Sequence, residues 1–286
     1  MKKNEKNKSL IIQNKGLVNF TKFQLGLTDK LLKKEATNWL GKAKKHLKEE
    51  AYPEAIDACN KAIEITPEDA VAYRYSAIAR MLIGDYADAL EDFGLAIQYD
   101  PIDVENYLER GFMYYDLENF SAAIADFTKV ITIEPDHVQA YFSRGYTFYD
   151  LKEFSNAIDD FSKTIDLDPS HVEAWYNRGF AKFDMKNYRG AVADFTESIK
   201  LRPDDINAYA NRGEARYHLS HLRGAIADFT VVIQMDPIAA NAFYNRGVAQ
   251  FDLMNEKEAL KDLKIALSMD HPGAQKAIKK ITSRKI

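Results

Sequence analysis

Three asparagines, Asn177, Asn211 and Asn245, stand 34 residues apart. A primary amide carries donors and an acceptor on one group, so a row of them can hydrogen-bond an extended peptide backbone whatever its side chains. At the same interval stand three rings, Phe112, Tyr146 and Phe180, each followed four residues later by an acid, Asp116, Asp150 and Asp184. Exposed rings make anchors for a ligand, and neighbouring acids favour Lys or Arg on it. This chemistry holds a polypeptide. Two plainer readings stay open: the amides as a residue common at that place in such units, and the rings as packing against the adjacent unit beside a solvated acidic face.

Catalytic constellations find little support. His218 and His221, three residues apart, can touch one metal ion, but no third ligand is evident. The glycines fall at packing and turn positions and form no phosphate-cradling loop. Cys59 is the only cysteine, which excludes an internal disulfide and a thiolate metal cluster. It stands where five other units carry Phe93, Phe127, Phe161, Phe195 and Phe229, and reads as a small core residue. The expectation is a non-enzymatic chain with no cofactor and no metal.

The elements that position these groups follow from a proline at 34-residue intervals: Pro67, Pro101, Pro135, Pro169, Pro203 and Pro237. Aligned on it, seven units appear, 36–69, 70–103, 104–137, 138–171, 172–205, 206–239 and 240–273, with His271 in the proline's place in the last. Within a unit, position 4 is a ring, from Trp39 to Phe243, and position 8 is small, Ala43, Ala77 and then five glycines from Gly111 to Gly247. Position 20 is always Ala, and position 24 is a ring in five units. Offsets of 4, 4 and 3 are helical. Each unit therefore reads as two helices, over positions 1–14 and 18–31, packed closely through the small residues and stopped by the proline.

Aromatic at 4, small at 8 and 20, aromatic at 24 and proline at 32 resembles the tetratricopeptide repeat family, over residues 36–273. The resemblance implies an all-α, right-handed superhelical solenoid of antiparallel helix pairs, with first helices lining a concave groove. It also implies binding to other proteins; the family includes members that read a peptide backbone with an asparagine ladder. Members that clamp a chaperone's carboxyl-terminal aspartate use Lys at 5 with Asn at 9, and Lys at 2 with Arg at 6. Here the 5/9 pairs include Leu108/Phe112 and Tyr176/Phe180, no repeat from 2 to 7 has Lys at 2, and none has Arg at 6. That clamp is not expected.

Arg110, Arg144, Arg178, Arg212 and Arg246 at position 7 accompany Asp126, Asp160, Asp194, Asp228 and Asp262 at position 23. These are expected to pair, partly desolvated, between helices. Positions 2, 6, 9 and 13 share a separate face of each first helix, expected to look into the groove. In repeat 2 that face is Val71, Tyr75, Ile78 and Leu82, all apolar or aromatic.

The ends differ from the body. Residues 1–16 are basic and expected to be partly disordered. Residues 17–35 carry Leu17, Phe20, Phe23, Leu27 and Leu31 at helical spacing. They read as an amphipathic helix that either caps repeat 1 or plugs the groove over repeat 2. Residues 274–286 read as a basic capping helix. Residues 1–35 have a net charge of +6 and residues 274–286 of +5, which leaves 25 basic and 40 acidic residues between them, net −15. Such a body repels nucleic acid and attracts basic or mixed-charge polypeptides. No apolar run approaches the ~20 residues of a membrane span, and Leu10–Ile12 is too short for a secretory signal, so a cytoplasmic protein is expected. The reading is an adaptor holding another polypeptide in its groove. The alternative is a self-associating scaffold whose groove holds its own N-terminal helix.

Overall fold

The computed structural model describes residues 28–283, all of them helix or short connection. They fall into two compact units, split after Ile133. The first contains α1 (28–48), α2 (Tyr52–Ile65), α3 (Ala70–Leu82), α4 (Tyr86–Tyr99), α5 (Val104–Asp116) and α6 (Phe120–Ile133). The second contains α7 (Val138–Asp150), α8 (Phe154–Leu167), α9 (Val172–Asp184), α10 (Tyr188–Leu201), α11 (Ile206–His218), α12 (Leu222–Met235), α13 (Ala240–Asp252), α14 (Glu256–Ser268) and α15 (Ala274–Thr282). Odd-numbered helices up to α13 are the first, or A, helices of a repeat; even-numbered ones are the second, or B, helices. From repeat 2 on, A spans positions 1–13 and B starts at 17, a residue earlier than the periodicity predicts. The fold is an all-α solenoid of helix pairs.

Within a pair, the small residue at 8 faces the ring at 24. A Cβ added to Gly111 would lie 2.7 Å from the Phe127 ring, and one on Gly213 2.8 Å from Phe229. Phe93, Phe127, Phe161, Phe195 and Phe229 are all at most 1 % exposed, and burying each contributes roughly 1.5–3 kcal/mol. In repeats 1–5 the position-34 residue caps the next A helix: Asp69 accepts from the Val71 and Ala72 amides, and His137 and His171 accept through Nδ1 from Ala140 and Ala174. These two histidines are helix caps.

The five expected Arg–Asp pairs form, each bidentate. Arg110 Nε and Nη2 donate to Asp126 at 2.8 Å each, and Arg246 donates to Asp262 at 2.7 and 2.8 Å. Burial weakens Arg110's hold on its proton, but the hydrogen bonds and the charge of Asp126, with smaller help from nearby tyrosines, outweigh it and raise the Arg110 pKa. In the second unit the same guanidinium reaches back one repeat. Arg178, Arg212 and Arg246 donate Nη1 to Ser162, Thr196 and Thr230, whose hydroxyls in turn donate to the carbonyl one turn earlier. Repeat 2 has Ser76 at position 7, yet its Asp92 is also paired: Arg80, one turn later, sits 3.0 Å away and Ser76 donates at 2.7 Å. Burial raises the Asp92 pKa in spite of both contacts.

The A–B turn holds a feature that residue types conceal. Position 15 has positive φ in all seven repeats, and only Gly84 among them is glycine; the others are Glu50, Glu118, Lys152, Lys186, Ser220 and Met254. A bond from the position-16 amide to the position-11 carbonyl, such as Asn187 N to Lys182 O at 2.8 Å, closes the turn.

At the N-terminal end, 28–48 is one helix with no break at 35/36, so the separate helix expected over 17–35 is not what its described part forms. Residues 28–35 prolong the A helix of repeat 1 by two turns and leave Leu31 66 % exposed. Residues 17–27, which would cap or plug, lie outside the described residues. At the other end α15 packs on α14 and α13 as an eighth A helix would, burying Ala274 and Ile281.

Two stability measurements follow. Arg110→Ala leaves Asp126 buried without its cation and should cost about 3 kcal/mol in urea denaturation; unchanged stability would remove the pair from the fold's supports. Lys186→Gly, at φ 61°, relieves left-handed strain and should raise stability by about 1 kcal/mol.

Candidate functional site

In the second unit, Cα atoms of successive A helices come within 8 Å of one another, whereas those of successive B helices do not. The A helices therefore form the inner side of the curve, and positions 2, 6, 9 and 13 line it. Gln139, Glu173, Asn207 and Asn241 at position 2 are exposed, as are Asp150, Asp184, His218 and Asp252 at position 13.

The three amides are half-buried along this face. Asn211 Nδ2 donates to the Tyr176 hydroxyl of the preceding repeat at 2.8 Å, and Asn245 Nδ2 donates to Glu214 Oε1 at 3.0 Å. Both are held upright with a carbonyl oxygen left over. The amide of Asn177 has no hydrogen-bond partner among the described residues. Ser143 takes this position in repeat 4, buried, and accepts from Gln139 at 3.1 Å.

The aromatic–acidic band is divided. Phe112 and Asp116 belong to the first unit, where Phe112 is half-buried, 5.5 Å from the Phe127 ring, and Asp116 is exposed. In the second unit Phe180 packs between Tyr149 of the preceding A helix, 5.8 Å away, and Tyr176, 6.2 Å away. For Phe180 the plainer reading, packing against the adjacent repeat, describes what the ring does. Tyr146 is 40 % exposed beside Phe142. Asp184 accepts a 2.6 Å hydrogen bond from the Tyr149 hydroxyl, and Asp252 the same from Tyr217.

Those tyrosines, together with Tyr176, are inner-face residues that the four-position stripe omits. Their signal was the recurrence of rings at positions 5 and 12: Phe142, Tyr176 and Tyr244, and Tyr149, Phe183, Tyr217 and Phe251. Repeats 5 and 6 substitute a ring contact for the hydroxyl–carboxylate bond: Phe183 meets His218 edge-on, and His218 stacks on Tyr188 at 4.5 Å. Burial first, then the bond to Asp252, pushes the Tyr217 phenol up to about 12; Tyr149 is raised for the same reasons.

A tetratricopeptide repeat model matches residues 138–171 and 172–205, and a second such model matches 104–137, in the register of the proline alignment. This chain is a tetratricopeptide repeat protein. No curated protein sequence matches it. Among solved structures the array is similar to YrrB, described as a TPR protein with an unusual peptide-binding site, at 24 % identity over 65 % of this chain and 97 % of that one, TM-score 0.61. It is similar to the C-terminal part of a TPR repeat-containing protein from Cytophaga hutchinsonii, at 20 % identity over 84 % and 99 %, TM-score 0.71. It is also similar to MamA, at 25 % over 60 % and 94 %, TM-score 0.57. The tetratricopeptide array is a protein-interaction adaptor or scaffold, built from a repeat that is generally non-catalytic. Among its described residues no helix is long and apolar enough to cross a membrane.

The raised Tyr217 pKa has a signed consequence. The folded array holds the phenolic proton more tightly than an unfolded chain, whose tyrosines titrate near ~10. The stability this contributes is complete below that pH and is lost as pH rises towards 12. With 13C-labelled tyrosine Cζ, NMR should place the Tyr217 midpoint near 12, and Asp252→Asn should lower it.

Proposed function

We propose that the array is an adaptor that holds an extended polypeptide of mixed charge along its inner face, with Asn177, Asn211 and Asn245 reading the peptide backbone. The observation that carries this is the orientation of the amides. Two are fixed by Tyr176 and Glu214 through their NH2 groups, leaving the oxygens to accept, and Asn177 keeps both donor and acceptor open. Pre-positioned groups of this kind lose little entropy on binding. That YrrB, with a similar fold, has a peptide-binding site lends support.

In this reading Tyr146 is the exposed ring of the band and contacts ligand side chains. Phe112 and Phe180 act from beneath, as packing that sets the height of the surface. Asp150 and Asp184 give the second unit's face negative charge, as Asp116 does on α5 of the first, and favour Lys or Arg on the bound chain. The partner is a protein or peptide.

The test is affinity selection of a random dodecapeptide library on the intact chain, followed by fluorescence anisotropy with the enriched peptides. Replacing Asn177, Asn211 and Asn245 together by Ala should weaken binding about tenfold or more with the melting temperature little changed. Equal binding by the triple variant would sink the amide ladder.

A further inference from the structure

The furrows between successive A helices on the inner face of the second unit differ in what fills them. Between α7 and α9 it is Phe180, against Tyr149. Phe180 stands at position 9. Repeat 6 has Glu214 there, repeat 7 has Val248, and α15, in the place of an eighth A helix, has Thr282. Position 4 of α15 is likewise Ala277 where repeats carry a ring. Between α9 and α11 His218 meets Phe183 instead, but the two furrows that follow stay open. A cleft of about 270 Å³ lies beside Glu214, His218 and Val248. A second, of about 290 Å³, lies between α13 and α15, with Val248, Leu263 and Ile281 as its apolar lining. Tyr217 and Tyr244 border both.

The rim of the second cleft is electrically divided. Lys276 and Lys280, one turn apart on α15, line it and are exposed. Lys280 lies 5.7 Å over the Phe251 ring, and neither lysine has an acidic partner among the described residues. Facing them, Asp252 is already bonded to Tyr217. The cleft is thus an apolar hole with two unpaired cations along one edge, at the end of an otherwise acidic array.

We infer that this cleft is a side-chain pocket for a peptide carrying a large apolar residue, aromatic or leucine-sized, next to Asp or Glu. The apolar side chain enters between α13 and α15 and does there what Phe180 does between α7 and α9. The neighbouring carboxylate meets Lys276 and Lys280. The inference rests on the inner face being a peptide groove, and it gives that groove a direction, with the acidic part of a mixed-charge ligand at the C-terminal end. A ring buried in a desolvated pocket is the kind of contact that dominates an interface, and the lysines exclude ligands that place a cation there.

The peptides enriched on the intact chain provide the test, with two variants. Val248→Phe puts a ring on the apolar lining that this cleft shares with its neighbour and takes up its space. Lys276→Glu with Lys280→Glu reverses the rim on an exposed surface, so it leaves folding intact even if the first variant does not. The enriched peptides should share a large apolar residue beside an acid. Their affinity should fall about tenfold or more with Val248→Phe and about fivefold with the lysine pair reversed, the second loss shrinking at high salt. Peptides lacking the apolar–acid pair, or bound equally by both variants yet lost on replacing the three asparagines, overturn the pocket and leave the groove standing. Loss with Val248→Phe alone overturns the assigned carboxylate. If no peptide is enriched, or none responds to any of the variants, groove and pocket fall together.

Discussion

The contact on which the array rests is that between a backbone without a side chain and a ring. At positions 111, 179 and 213 the glycine Cα faces a buried phenylalanine so closely that a methyl group would fall within 3.0 Å of it. That proximity fixes the separation of the two helices in a pair. The fixed separation places the guanidinium at position 7 opposite the carboxylate at 23, and carries a third nitrogen to the hydroxyl of the preceding repeat. Packing within one hairpin and registration between hairpins are therefore not independent. Both descend from the approach that the small residue permits. Repeat 1 keeps the pattern in reduced form, Ala43 against Cys59, with Ala58 where an aspartate would stand.

Most of this was legible in the sequence because it repeats. A 34-residue period, a helical spacing of 4, 8, 20 and 24 and co-occurring Arg and Asp lead directly to helix pairs and ion pairs. What did not repeat in residue type was not legible. The left-handed turn at position 15 is carried by Glu, Lys, Ser and Met as well as Gly, because the closing backbone bonds impose the conformation on whatever residue is there. Asp92 escaped notice because its cation comes from position 11 instead of 7, a substitution that spacing alone does not reveal. The run of α1 through residue 35 was hidden by the expectation that a unit begins where its period does; a helix with no breaker at the boundary simply continues.

The inner face was legible as a face and only partly as chemistry. Periodicity says that positions 6 and 9 look the same way as 2 and 13, but not how far each side chain stands from its neighbour in the next repeat. That distance decides whether a ring is a surface anchor or a filler. Tyr146 and Phe180, equivalent in sequence, differ here: one is 40 % exposed and the other is wedged against Tyr149. It also decides that Asn211 and Asn245 each spend one amide N–H on the preceding repeat, on a tyrosine hydroxyl and a glutamate carboxylate.

The closeness of successive A backbones, and the wider gap between successive B backbones, gives the second unit an inner side on which its repeats are hinged. A change of curvature pivots about the inner helices, which stay in touch, while the outer helices fan apart or draw together without parting a backbone contact of their own. A change of curvature in the second unit would thereby be taken up in its outer layer.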